Sequence, residues 1–316
     1  NILNAAKDFT FGANEMLFAT LMLKEAGFDL QSSQLAAVSG ANLATAAYDG
    51  AERTAEAYKN TTMDLAKATR MFDPALLSLA QTTGNYLPVQ DALNKNADIF
   101  AAVLNTSSAR MEPFIQGFSY LAPVTAAMGL SLRDTSIAIG MVSDKGIDGS
   151  RAGREMASAF LLMSKGAPKT KKAMDDLGIS LYDSKGKTKD MRTIIGDLSV
   201  ALFGSTGKLG KLTAAQRTQY AVTLFGNAGI RAMIPLVQGG ANAWDKYMTA
   251  IENSGTAQEI AQRKLNNFKD AVGKLQVAVE AAMIRAFGPI IDKYLKPLVE
   301  QLQQAVAWFD NLAQPV

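Results

Sequence analysis

Cysteine and histidine are both absent from the 316 residues of this sequence. Structural zinc sites, thiol or serine–histidine nucleophiles and imidazole acid–base chemistry each need one of these two residue types. Disulfide bonds are excluded as well, which leaves the redox compartment open. Carboxylates, lysine and tyrosine could still catalyse a reaction, but no acid stands in an apolar stretch that would raise its pKa. We therefore predict a protein that is not an enzyme and that binds no metal or cofactor.

Hydrophobic residues make up 48% of the sequence and charged residues 19%, which is enough apolar material for a folded core. The chain starts at Asn1, without an initiator methionine, and no positively charged stretch leads into an apolar segment. We expect a fragment or a processed product of a longer protein, without a visible secretory signal.

The net charge of +3 comes from 32 basic and 29 acidic side chains, a balance too even to predict nucleic-acid binding from the whole molecule. One basic cluster lies within 165–192, where eight cations accompany four acids. A solvated surface around a turn is the first interpretation, and a patch facing DNA or an acidic protein is the second. The cations are Lys165, Lys169, Lys171, Lys172, Lys185, Lys187, Lys189 and Arg192.

Most of the chain has the composition of helices interrupted by glycine and proline. The stretch 36–57 carries nine alanines in 22 residues, which favours helices that pack closely. We expect one helix to start at Pro74 and another to be N-capped by Ser131. Pro113 and Pro123 are expected to interrupt helices. The predicted fold class is all-α.

Three glycine-rich segments are expected to connect helices, namely 143–155, 204–210 and 239–240. Between the first two, residues 183–186 have the signature of a turn and are flanked by short runs of extended character. We therefore predict a multi-helix core with one small β-hairpin near 178–195.

The last third of the chain has the clearest periodicity, with apolar residues at alternating intervals of three and four. This 3.5-residue repeat is typical of long coiled-coil-like helices. The repeat, called the seam below, consists of Leu265, Phe268, Val272, Leu275, Val279, Leu295, Leu298 and Leu302. It predicts either a coiled coil between chains or an antiparallel helical hairpin within one chain. Pro289 must break or kink the helix between the two halves.

Short motifs that suggest chemistry fail on spacing. Asp144, Asp148, Gly149 and Glu155 have the positions of a calcium-binding loop, but Gly146 stands where another oxygen ligand belongs. We therefore predict no calcium site.

Phosphate binding and carboxylate catalysis have no better support. The glycines of 204–210 lack the spacing of a phosphate-binding loop. The acid pairs Asp175 with Asp176 and Glu52 with Glu56 lie among polar helical residues, where a solvated surface is the ordinary interpretation.

A series of short motifs follows in order between about 120 and 240. The motifs are Leu121-Ala-Pro-Val-Thr-Ala-Ala-Met-Gly129, Lys145-Gly146-Ile-Asp-Gly149-Ser-Arg-Ala-Gly153, Ala167-Pro168, Leu177-Gly178-Ile179, Asp183-Ser-Lys-Gly186 and Leu224-Phe225-Gly226-Asn-Ala228. Their order and spacing resemble the core region of phage tail tape measure proteins. The resemblance implies structural roles for Gly129, Gly146, Gly149, Gly153, Pro168, Leu177, Gly178, Gly186, Phe225 and Gly226. In the glycines, that role is a positive φ or a close approach of helices.

The resemblance also implies a virion component inside the tail tube, made in the host cytoplasm. Such a protein sets the tail length, scaffolds assembly of the tube and leaves ahead of the DNA during genome ejection. The implied partners are further copies of the chain, as a trimer, the tail tube protein, tail tip or baseplate hub proteins and tail assembly chaperones. Transient contact with the host membrane and with DNA is implied as well.

The sequence divides into a helical N-terminal region, 1–118, a core region with the hairpin, 119–240, and a coiled-coil-like C-terminal region, 241–316. The main alternative function is a membrane-active, pore-forming or envelope-perturbing protein. The alanine-rich helices and the apolar stretch 277–291 would serve it, but this stretch has only 15 residues where a spanning helix needs about 20.

Overall fold

The computed structural model describes residues 11–49 and 52–267. Helices dominate this part of the chain. In chain order they are α1 (Ala13–Glu25), α2 (Leu30–Ala47), α3 (Ala55–Phe72), α4 (Pro74–Thr83), α5 (Leu87–Thr106), α6 (Met111–Ala127), α7 (Leu132–Ser143), α8 (Gly149–Ser164), α9 (Pro168–Leu177), α10 (Met191–Phe203) and α11 (Ala214–Glu252). A further helical stretch covers 257–267.

The all-α fold class predicted from the sequence is confirmed, and no β-strand occurs within 11–49 and 52–267. The predicted hairpin is reduced to one antiparallel bridge between Tyr182 and Thr188. It closes a turn in which the Asp183 backbone N–H donates to the Lys187 carbonyl oxygen at 2.8 Å. The turn was therefore predicted correctly, but the strands on either side of it were not.

The second arm of the predicted hairpin is wrong because α10 already begins at Met191. The Asp190 carboxylate accepts a hydrogen bond from the Thr193 backbone N–H at 2.8 Å and so caps this helix. Ile194 and Ile195 are fully buried on its inner face. Their β-branched side chains favour extended backbone, but the cap and the burial of a helical face outweigh that preference.

Three helix boundaries agree with the sequence prediction. Pro74 is the first residue of α4, and the Ser131 hydroxyl caps α7 by accepting from the Asp134 backbone N–H at 3.0 Å. Pro113 lies in the first turn of α6, where a helix needs no proline N–H.

Two expected interruptions are absent. Pro123 lies inside α6, and 149–155, expected within a glycine-rich connection, forms the first turns of α8. Leu121 and Ala122 next to Pro123 are fully buried, which holds this helix together despite the hydrogen bond that proline removes. In both segments, tertiary packing therefore outweighs the local sequence signals and keeps the backbone helical.

An aromatic cluster from α3, α5 and α6 lies in the core. Phe100 packs edge-on against Phe114 and Phe118 with centroid distances of 5.3 and 5.0 Å, and Phe72 lies 5.9 Å from Phe118. Edge-to-face rings add attraction beyond the area that they bury. The described residues up to Lys264 form one compact unit. The division into three regions stays a prediction.

The longest element, α11, is not straight. Gly226 (φ 69°, ψ 169°) and Gly240 (φ 60°, ψ −166°) have non-helical backbone angles and divide it into three helical segments. These angles lie in a region that essentially only glycine adopts. The loop predicted at 239–240 is thus a sharp break between two helical segments.

By length and composition alone, α11 is also the one helix within the described ranges that could cross a membrane. However, α11 has two breaks, and its side chains Leu224, Met233 and Trp244 are buried. Both features are typical of a helix that packs around a protein core. The stretch 277–291, considered for this role from its sequence, lies outside the described residues.

The carboxyl group of Asp64 on α3 has a pKa that burial shifts, and this shift can be tested by measuring stability against pH. Burial raises the pKa of its carboxyl to about 6, and Lys67 offsets this only in part. The folded chain therefore holds this proton more tightly than the unfolded chain, and stability falls as the pH rises from about 4 to about 6. Asp64→Asn should raise the free energy of unfolding by about 1–2 kcal/mol at pH 7, and not at pH 4.

Urea denaturation at the two pH values measures this difference. Asp91→Asn, at an exposed position of α5, is the control for removal of one negative charge. An equal effect of Asp64→Asn at both pH values would contradict the prediction.

Candidate functional site: glycine contacts between helices

Helices α6 and α8 approach so closely that backbone packs directly on backbone. A Cβ added to Gly153 would lie 2.0 Å from the carbonyl oxygen of Gly117, and one added to Gly117 would lie 2.0 Å from that of Gly149. Gly149 in turn faces the backbone of Pro113, at 2.9 Å. Since 113 faces 149 and 117 faces 153, the two helices run parallel. No side chain larger than hydrogen fits at these glycines.

A second contact joins α8 to α11. Gly229 packs against Ala159, whose Cβ would lie 2.7 Å from a Cβ at position 229. Phe225 is buried one turn earlier, and the positive φ of Gly226 turns the chain beside Leu162 of α8. Small residues on two sides of α8 therefore set its distance from both α6 and α11.

The acids around the start of α8 serve the fold. Asp148 caps α8 through its carboxylate, and Asp144 accepts a hydrogen bond from the Ser108 backbone N–H at 2.6 Å. Glu155 lies on α8 and accepts from Arg151 Nε at 2.8 Å. The carboxylates of the calcium-loop pattern thus bind groups of the protein. Among the described residues, no group of three or more metal-binding side chains is found.

The other motif residues lie at helix ends and in a turn. Pro168 is the first residue of α9, and Leu177 is its buried last residue. Four glycines have a positive φ between 72° and 78°, namely Gly129, Gly146, Gly178 and Gly186. Their placement is therefore that of chain reversals, and their roles in assembly stay predictions.

Of the seam residues, Leu265 lies within the described ranges, half-buried on the helical stretch 257–267. The others lie outside these ranges, namely Phe268, Val272, Leu275, Val279, Leu295, Leu298 and Leu302. Whether the seam joins two chains or two helices of one chain stays open.

Two contacts were missed from the sequence. The four-residue spacing of Gly149 and Gly153 signals a close helix contact, but nothing in it identifies Gly117 as the partner. Arg192 of α10 makes a bidentate ion pair with Asp245 in the last segment of α11. These two residues are 53 positions apart, and no local pattern links them.

Comparison with known proteins supplies independent findings. The family described as "Phage-related minor tail protein" matches residues 1–226. A "Tape measure protein" of Pneumococcus phage Dp-1 is 31% identical over 211 residues, which cover 66% of this chain and 17% of that protein. A "Probable tape measure protein" of Escherichia phage P2 is 25% identical over 246 residues, 77% of this chain and 29% of that protein.

The matched region thus spans less than a third of either relative. No solved structure matches this chain significantly. The family match contains the three glycines of the α6–α8 contact and ends at Gly226, the first break of α11.

Proposed function

Because this chain belongs to the phage tail tape measure family of minor tail proteins, we propose that it forms the folded core of a longer tape measure protein inside the tail tube. It is a component of the virion tail, in a family whose role is structural. The observation that supports a structural role most directly is the α6–α8 contact, where motif glycines serve backbone packing.

The parent protein sets the tail length, scaffolds the polymerisation of the tube and leaves ahead of the DNA at ejection. A helix extends about 1.5 Å per residue, so 316 helical residues would span about 470 Å. The helices described here instead fold back on one another around a shared core. These residues therefore contribute little length, and the length-setting rod lies in another part of the parent protein.

The partners follow from this placement. Further copies of the chain associate as a trimer, and the tail tube protein surrounds them. Tail tip or baseplate hub proteins bind at the end of the tube, and tail assembly chaperones bind before assembly. The host membrane and DNA make transient contact during ejection.

Deletions in the parent gene test the length-setting role. An in-frame deletion of 60 helical residues outside this chain should shorten the tail by about 90 Å, since each helical residue spans about 1.5 Å. Deletions within 52–267 should block assembly without graded shortening, because they remove part of a folded unit. Electron microscopy of tails measures both outcomes, and an unchanged tail length after deletions in the rod would rule the ruler role out.

The membrane-active alternative has the apolar composition of α11 in its favour. The breaks at Gly226 and Gly240 argue against it, because they prevent one straight membrane-spanning helix. Leakage of liposomes treated with the purified chain at physiological salt would support that alternative, and intact liposomes would count against it.

A further inference from the structure

Two stretches of this chain each contain four cations and no acidic residue. Residues 156–174 carry four lysines, and 198–244 carry two lysines and two arginines. The rest of the chain contains 24 basic and 29 acidic side chains. The two stretches therefore carry a net charge of +8, and the rest of the chain carries a net charge of −5. The eight cations are Lys165, Lys169, Lys171, Lys172, Lys208, Lys211, Arg217 and Arg231.

The fold brings the two stretches together. The Thr170 hydroxyl on α9 donates to the carbonyl oxygen of Thr223 on α11 at 3.4 Å. Lys208, before α11, donates through Nζ to the carbonyl oxygen of Asp175 near the end of α9, at 2.6 Å. These two contacts place α9 next to the α10–α11 connection and next to α11 at Thr223. The α8–α9 connection, α9, the α10–α11 connection and the first half of α11 are together called the basic surface below. Seven of its eight cations are exposed, and Arg217 is half-buried.

Four acids next to this surface form ion pairs within the fold. The ion pairs are Glu155 with Arg151, Asp176 with Lys172, Asp197 with Lys189 and Asp245 with Arg192. Asp175 is exposed and has no ion pair among the described residues. Of the eight cations, Lys172 alone takes part in an ion pair within the described ranges. The surface thus keeps most of its positive charge.

Two of the three lysines of α9, Lys169 and Lys171, form no ion pair within the described ranges. The helix begins at Pro168 without a side-chain cap, and Lys169, Lys171 and Lys172 lie near this end. The helix dipole disfavours positive charge there. Cations in these positions weaken the helix unless an anion lies nearby, so their placement favours a role in binding.

We propose that the basic surface binds the phosphate backbone of duplex DNA without sequence preference. Duplex DNA presents one negative charge per about 1.7 Å of its axis, which suits cations spread over several elements. Lysine binds phosphate as a point charge and needs no fixed geometry. The inference rests on the transient DNA contact proposed above and assigns it a surface.

A lipid membrane fits this surface less well, because peripheral membrane binding also requires a face of bulky apolar side chains. The large apolar side chains that the two acid-free stretches expose are each less than half exposed, namely Leu161, Val200, Leu209 and Val222. None of them is aromatic.

Fluorescence anisotropy of a labelled 30-base-pair duplex with the purified chain tests the proposal. We expect the affinity to fall at least about 100-fold between 50 and 200 mM salt. The combined variant Lys165→Gln, Lys169→Gln, Lys171→Gln and Lys172→Gln should bind at least about 10-fold more weakly at 50 mM salt. For this variant, the plot of log affinity against log salt concentration should be shallower by about one unit of slope for each removed lysine that contacts a phosphate.

The matched control removes four exposed lysines outside the basic surface, with the substitutions Lys24→Gln, Lys67→Gln, Lys95→Gln and Lys246→Gln. It lowers the net charge equally and should bind within about threefold of the unchanged chain. Thermal unfolding followed by circular dichroism checks that both variants are folded.

Absence of DNA binding at 50 mM salt, or an equal loss in both variants, would overturn the proposal. So would binding to vesicles that contain anionic lipid without binding to DNA, because the partner would then be a membrane. These results come from the purified chain and leave the tail-length test unaffected, so the two proposals can fail separately.

Discussion

Gly153→Ala is expected to lower the free energy of unfolding by about 3 kcal/mol or more, a large share of the roughly 5–15 kcal/mol of a typical domain. The added Cβ would lie 2.0 Å from the carbonyl oxygen of Gly117 and 2.4 Å from its Cα. Both atoms belong to the backbone, so no side-chain rotation can relieve the clash. Helices α6 and α8 would have to separate, which would loosen the packing of Phe114 and Met156 in the core.

Gly196→Ala in α10 is the matched control. Its Cβ would meet only the Cβ of Ala241, at 3.3 Å, and alanine favours the helix by up to about 1 kcal/mol. Urea denaturation should therefore give a much lower midpoint for Gly153→Ala and a nearly unchanged or higher one for Gly196→Ala. Equal midpoints for the two variants would show that the α6–α8 contact is not as close as described.

Gly226→Asn is expected to lower the free energy of unfolding by about 2–3 kcal/mol, because its φ of 69° and ψ of 169° lie where side chains are essentially excluded. A Cβ would find space there, since Leu162 Cδ2 at 3.4 Å is the one atom nearby. The loss would therefore come from the backbone conformation that breaks α11.

The same substitution at Gly84 separates this effect from that of a positive φ in general. Gly84 ends α4 with φ 70° and ψ 6°, the left-handed helical conformation that asparagine tolerates. No atom lies within 4 Å of its Cβ position. Gly84→Asn should thus cost less than about 1 kcal/mol, and a similar loss in both variants would contradict the assigned role of Gly226. Thermal unfolding measures both.

Local signals predicted where helices begin. Pro74 at the first turn of α4 and the Ser131 cap of α7 depend on residues within one helical turn, so they can be read from the sequence. The turn at 183–186 is equally local. In each case the stabilising hydrogen bond or dihedral angle lies within the motif itself.

Long-range packing explains the errors. Residues 193–195 favour a strand by composition, yet they join a capped helix whose inner face is buried. Gly149 and Gly153 suggested a connection, because glycine weakens isolated helices. Their place in α8 depends on Gly117, which lies 36 residues before Gly153 and which no local pattern identifies.

The candidate site was predicted only in part, because some of its contacts join residues that are far apart in the sequence. The glycines that reverse the chain were recognised as motif residues, and their positive φ values agree with backbone roles. The eight cations of the basic surface come from two acid-free stretches, and the sequence interpretation noted only the four lysines of the first, as part of the cluster within 165–192. Their association depends on the contact of α9 with α11, which only the fold reveals.

Complementation of a phage that lacks the parent gene tests most directly whether this chain works by helix packing or by chemistry. One gene would carry Gly153→Leu, and a second would carry Asp175→Asn, Asp176→Asn, Glu52→Gln and Glu56→Gln, which remove the candidate carboxylate pairs. The measured quantity is the number of complete tails seen by electron microscopy at equal expression. A packing role predicts no complete tails with Gly153→Leu and normal numbers with the carboxylate variant. Complete tails with Gly153→Leu and none with the carboxylate variant would contradict it.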